Sequence, residues 1–128
     1  MGSGSGIRVR RVYDPPEPED GTRVLVDRLW PRGLSKEHAA VDLWAKDVTP
    51  SKELRTWYHE DRTGGRYDEF ADRYRTELGD AAHTEAVEGL LALLRRGGPV
   101  TLVTSVKDVR TSHVPVLVGH LEQALDHR

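Results

Sequence analysis

The segment 27–33, Asp-Arg-Leu-Trp-Pro-Arg-Gly, holds the densest group of side chains that could bind a ligand. Arg28 and Arg32 could bind a phosphate or carboxylate through paired N–H donors, and Trp30 could cover an apolar part of the same molecule. Asp27 is expected to orient one of the arginines. Because functional side chains concentrate in loops that a scaffold holds in place, the segment predicts an anion-binding crevice. A structural ion pair and a tryptophan at the core edge would explain the same residues.

A second group follows a predicted buried strand and leads into the last predicted helix. It contains Lys107, Asp108 and His113, and the start of that helix offers free N–H groups to an anion. His113 is the only nearby group with an ordinary pKa close to neutrality, so His113 and Asp108 are the candidates for catalysis, with His113 as the proton carrier. Helix capping and charged residues in a first turn would explain the group without a ligand.

Two further cations, Lys46 and Arg55, flank the predicted start of another helix and could add positive charge to the crevice. Ser51 would be occupied there as the helix cap. A helix start with a flanking salt bridge is the structural alternative for these two cations.

Two other kinds of function compete with a small-molecule site. In the first, three tryptophans ringed by arginines form a surface for a protein partner, since both residue types are enriched at interface hot spots: Trp30, Trp44 and Trp57. In the second, nucleic-acid binding, an arginine cluster would have to join Arg28 on one face: Arg8, Arg10, Arg11 and Arg23. The acidic pI of about 6.3 weighs against nucleic acid.

Several familiar chemistries are excluded by what the chain lacks. With no cysteine there is no disulfide, thiolate nucleophile or iron–sulfur cluster. His113, His120 and His127 are spaced by seven residues, which separates neighbours by about 10.5 Å along a helix and is too far for a shared zinc ion. No metal site is therefore expected. The usual metalloprotease, P-loop, dinucleotide and hydrolase motifs do not occur, and the cofactor stays unknown.

The 128 residues suit one soluble domain, with 37% hydrophobic residues and a formal net charge of -2. Residues 1–6 are interpreted as an expression-tag remnant and 7–128 as the domain. No apolar run reaches the 18 or more residues of a membrane span, and no signal peptide is expected. We therefore expect a cytoplasmic protein, a monomer or homodimer, whose partner is a small anionic ligand.

The order of the predicted elements indicates an α/β fold. Strands are expected at 7–12, 22–27, briefly at 41–45, and at 100–105, where continuous β-branched and apolar residues indicate a central strand. Helices are expected at 52–59, 66–78, 83–96 and 112–126. This pattern predicts a single small domain with a mostly parallel sheet of about four strands and helices on both faces. Ligands of such sheets bind at the carboxyl ends of the strands, where the two main groups fall.

The chain resembles the domain of unknown function family 488, in its YeaO-like branch. The most specific block is Val-Leu-Val-Asp-Arg-Leu-Trp-Pro-Arg-Gly at 24–33. Further matching residues are 10–14, 20–21, 44–47, 50–51, Leu54, Arg55, Trp57, Phe70, Arg73, Tyr74, Glu77, Leu78, 100–102, Lys107 and Asp108. The resemblance implies a compact α/β domain of a bacterial family and names no reaction. Where it leads one to expect a His-Asn pair after Asp108, this chain has Thr111 and Ser112.

Overall fold

The computed structural model describes residues 7–126, so the predicted tag remnant 1–6 and His127 lie outside the described residues. Within them, four parallel strands form one sheet in the order β1-β4-β2-β3. The strands are β1 (Ile7–Arg11), β2 (Thr22–Leu25), β3 (Leu43–Trp44) and β4 (Val100–Thr104). Every residue of β4 is buried between β1 and β2, which confirms the central strand that its sequence predicts.

The helices are α1 (Lys36–Ala39), α2 (Lys52–Glu60), α3 (Tyr67–Leu78), α4 (Ala81–Arg95) and α5 (Val114–Asp126). Side chains cap two of the longer helices, because Ser51 accepts from the Leu54 N–H and Asp80 accepts from the His83 N–H. The α/β class is confirmed, and only the one-turn helix α1 was not expected. Within residues 7–126, no helix has the length and apolarity needed to cross a membrane.

The two faces of the sheet are covered unequally. Val24 and Leu102 belong to the main core, in which all four of the longer helices participate. Leu25 and Val103 point to the opposite face, because side chains alternate along a strand, and pack there with Ala39 of α1. Helices therefore lie on both faces, as predicted, but the cover of the second face is thin and consists of α1 and its flanking loop. The connection between β2 and β3, residues 26–42, contains α1 as its one helix.

A buried cluster of charges lies at the edge of this second face. The Asp20 carboxylate is 2.8 Å from Nη1 of Arg23, 3.0 Å from Nη1 of Arg10 and 3.1 Å from Nη1 of Arg8. Arg11 donates to the carbonyls of Ser105 and Val106. The four arginines that nucleic-acid binding would require are therefore engaged by Asp20 or by backbone carbonyls, and Arg23 is buried as well.

One buried histidine, in the first turn of α4, links stability to pH. His83 is 2.9 Å from Asp80 Oδ1 through Nδ1 and 2.8 Å from the Thr49 carbonyl through Nε2. Burial alone would lower the pKa of His83, but the hydrogen bonds to Asp80 and Thr49 outweigh it, so the pKa lies above its ordinary value. A raised pKa stabilises the fold fully below about pH 6.5, and the stabilisation disappears as the pH rises through the folded-state pKa.

We expect His83→Gln to lower the free energy of unfolding more at about pH 5.5 than at about pH 8.5, measured by urea unfolding at both values. Asp80→Asn keeps a good capping residue but removes the carboxylate that favours the charged ring. In that background the difference between the two pH values should shrink. An equal effect of His83→Gln at both pH values would contradict the assignment.

Candidate functional site

A cleft of about 570 Å³ opens at the carboxyl ends of β2 and β4. One wall is formed by the chain leaving β2 and the chain leaving β4, and the other by α2 and the turn that follows it. This volume is in the range of small-molecule sites. The cleft brings together part of the predicted set, namely Asp27, Arg28, Arg55, Asp108 and His113.

Asp27 fastens the ends of the two strands to each other. The residue is buried, with 7% of its surface exposed. Oδ1 accepts from the Thr104 hydroxyl at 2.6 Å, and Oδ2 accepts from the N–H and the hydroxyl of Ser105 at 2.7 and 2.8 Å. Hydroxyl and N–H donors at the end of β4 therefore occupy this carboxylate, and within residues 7–126 it forms no ion pair with an arginine.

His113 stands immediately before α5 and contacts the end of β2. Its Nε2 lies 2.6 Å from the Val26 carbonyl oxygen. A carbonyl only accepts, so Nε2 carries the proton. Burial lowers the pKa of His113 and outweighs the opposing influence of the Val26 carbonyl and Asp27, while Arg55 lowers it further. The ring is thus neutral near pH 7, and its Nδ1 is left as an acceptor on the cleft.

Three arginines on the cleft have side-chain N–H donors to spare. Arg28 and Arg62 are exposed, and within residues 7–126 neither forms an ion pair or a side-chain hydrogen bond. Arg55 uses only its Nε, which donates to the Pro50 carbonyl at 3.3 Å. The terminal nitrogens of all three guanidinium groups are therefore available to a ligand.

The other carboxylates of the cleft already accept hydrogen bonds from the chain. Asp61 accepts from the N–H and hydroxyl of Thr63 and from the Arg66 N–H. These bonds hold the pKa of Asp61 below its ordinary value. Asp108 is exposed at the rim and accepts from the Arg110 N–H. Asp61 thus shapes its own turn, and Asp108 caps a short 3-10 turn.

Aromatic side chains give the cleft an apolar wall and hold its outer loop. The rings of Tyr58 and Phe70 stack with centroids 4.3 Å apart. The Tyr58 hydroxyl donates to the Thr111 carbonyl at 2.8 Å, and the Tyr67 hydroxyl donates to the Ser112 carbonyl at 3.0 Å. These bonds fix the segment that carries His113 against α2 and α3.

Four predicted site residues lie outside the cleft lining: Trp30, Arg32, Lys46 and Lys107. The Trp30 indole donates to the Leu34 carbonyl at 2.7 Å and packs on the second face of the sheet. Lys46 lies over the Trp44 ring, with Nζ 5.1 Å from its centroid. Arg32 and Lys107 are exposed elsewhere.

The three tryptophans do not form one aromatic surface. Trp30 and Trp44 contact each other edge to face, with centroids 5.5 Å apart, and Trp44 is 37% exposed. Trp57 packs against the main core on the other face of the sheet, covered by the guanidinium groups of Arg66 and Arg73. The protein-interaction hypothesis thus keeps only the Trp30–Trp44 pair.

Sequence reasoning missed His59, Asp61 and Arg62 as lining residues. His59 lies near the end of α2, and the other two belong to the turn that follows this helix. Their local sequence does not indicate that the turn lies near the carboxyl ends of the strands. In the part of the chain that the structure describes, no three His, Asp or Glu side chains are placed to hold an ion.

Comparison with known proteins identifies relatives along most of the chain. A family model described as "Inactive DUF488-N3 subclade" matches residues 6–128. An uncharacterized protein of Mycobacterium tuberculosis H37Rv is 50% identical over 111 residues, covering 87% of this chain and 89% of the relative. The uncharacterized protein YeaO of Escherichia coli K12 is 43% identical over 115 residues, covering 90% of this chain and 96% of the relative. No solved structure matches significantly.

Proposed function

The chain belongs to the DUF488 family, in the subclade described as inactive DUF488-N3, and from this premise we propose that it binds a small organic anion in the cleft without transforming it. The ligand carries a phosphate or a carboxylate. The proposal assigns the domain to the cytoplasm of a bacterial cell, in keeping with the organisms of its relatives.

The unequal use of hydrogen-bonding groups in the cleft carries the proposal. Formal charges nearly balance there, since three arginines face three carboxylates. The carboxylates, however, accept hydrogen bonds from their own chain, whereas the guanidinium groups of Arg28, Arg55 and Arg62 keep free donors. A ligand that satisfies this cleft must supply acceptors, and an anionic group supplies them best.

The apolar wall indicates what else the ligand contains. Leu29, Phe70 and the Tyr58 ring line the same cleft as the arginines. A carbon skeleton that covers them would remove apolar surface from water, which contributes about 25 cal/mol per Å² buried. An organic anion should therefore bind more tightly than inorganic phosphate.

Arg28→Ala is expected to weaken binding of a small organic phosphate about 10- to 100-fold, because it removes a charge-assisted hydrogen bond. Its own stability should stay within about 0.5 kcal/mol of the wild type, since Arg28 is exposed and unpaired. A thermal-shift screen of phosphates and carboxylates identifies a probe, because a ligand at 100 times its dissociation constant stabilises the fold by about 2.7 kcal/mol. Calorimetric titration then gives the affinities.

The matched control is Arg32→Ala, which removes an exposed arginine four residues away that does not line the cleft. This variant should bind the probe like the wild type. Equal weakening by both substitutions would show that only the net charge matters, and unchanged binding by Arg28→Ala would place the site elsewhere.

A further inference from the structure

We infer that the ligand carries a hydroxyl or amine donor in addition to its acidic group, and that Nδ1 of His113 accepts a hydrogen bond from it. The inference rests on the proposed function and names the chemical class of the ligand: small hydroxylated phosphates or carboxylates. It depends on the one ring nitrogen that the fold leaves unpaired on the cleft.

The Val26 carbonyl fixes which nitrogen of His113 is free. Its oxygen lies 2.6 Å from Nε2 and can only accept, so the ring proton stays on Nε2 and Nδ1 has a free lone pair. Within residues 7–126 no donor contacts Nδ1, and this atom is not among the buried polar atoms that lack a partner. Nδ1 is therefore not fully buried, and His113 lines the cleft.

The surroundings keep the ring in this neutral form. Burial lowers the pKa of His113, Arg55 lowers it further, and Asp27 acts in the opposite direction without reversing the shift. Protonation of Nδ1 would place a second positive charge near Arg55. At neutral pH the atom accordingly acts as an acceptor, which a second anionic group of a ligand could not use.

Neighbouring acceptors on the cleft are already engaged within the fold. The Thr111 and Ser112 carbonyls accept from the hydroxyls of Tyr58 and Tyr67. The Asp27 carboxylate accepts from β4 on both oxygens. His113 thus offers a neutral spare acceptor beside the free guanidinium donors, whereas Asp108, whose carboxylate also has a spare oxygen, lies at the exposed rim. A molecule with an acidic group at one end and a hydroxyl at the other satisfies both.

Two matched pairs of probes test the inference by calorimetric titration: glycerol 3-phosphate against propyl phosphate, and glycerate against propionate. Each pair shares its acidic group and three-carbon chain and differs only in hydroxyl groups. For the wild type, the hydroxylated member of at least one pair should bind about 3- to 10-fold more tightly, as expected for one added hydrogen bond. The phosphate and carboxylate pairs distinguish the two acidic groups.

His113→Gln separates the two roles of the ring. The glutamine amide can still donate to the Val26 carbonyl but has no acceptor in the position of Nδ1. The preference for the hydroxylated probe should fall to about 1-fold, while the affinity for its unhydroxylated partner stays unchanged. Arg28→Ala should weaken both members of the pair equally and keep their ratio.

The outcomes distinguish this inference from the proposed function. Equal binding of both members of each pair, with both weakened by Arg28→Ala, would overturn the inference and leave the anion site standing. A preference that survives in His113→Gln would also overturn it. No binding of any of the four probes to the wild type would overturn both.

Discussion

Replacing Asp20 with alanine is expected to lower the free energy of unfolding by about 3 to 5 kcal/mol, the effect of breaking a buried ion pair. Asp20 is 0% exposed and Arg23, its nearest cation, is 2% exposed. The remaining donors of Arg23 bond to the carbonyls of Val12, Ala39 and Ala40. The guanidinium could not leave without breaking these bonds, so its charge would stay buried and unpaired.

Urea unfolding measures this loss, and Glu17→Gln is the control. Glu17 pairs with Arg8 and Arg10, two of the arginines that surround Asp20, but its side chain is 48% exposed. Exposed ion pairs contribute about 0 to 1 kcal/mol, so the control should lose no more than that. A loss below about 1 kcal/mol for Asp20→Ala would mean that Arg23 finds another partner or reaches water.

The charge cluster also shows where sequence reasoning was limited. In the run 7–12 charged residues mix with apolar ones, and its arginines could also have formed a free basic face, although the acidic pI weighs against one. The partner that decides between these outcomes, Asp20, lies beyond a proline-rich loop. Three prolines restrict the backbone of that loop. The positions of the prolines do not indicate which side chain of the loop becomes buried.

The positions of the long helices and of β4 could be predicted because each depends on local periodicity. Ligands of parallel sheets bind at the carboxyl ends of the strands, which predicts that Asp27, Arg28 and His113 lie close together. All three line the cleft. Arg32 and Lys107 failed to join them because the direction of a side chain in a loop depends on the loop conformation, which residue type does not specify. The Trp30 indole N–H donates to the Leu34 carbonyl, which is only four residues along the chain.

Asp27→Ala is expected to lower the free energy of unfolding by about 3 kcal/mol, because it leaves buried donors of Thr104 and Ser105 without their acceptor. Ser105→Ala removes only a hydroxyl donor and should lose about 1 kcal/mol, and Asp108→Ala at the exposed rim should lose less than Asp27→Ala. Urea unfolding of the three variants gives this order.

If Asp27 oriented an arginine for the ligand instead, Asp27→Ala would keep its stability and lose affinity. The structural role predicts a loss of stability, while the affinity of the folded protein changes less than in Arg28→Ala. That result would show that Asp27 holds the ends of β2 and β4 together and that the arginines bind the anion.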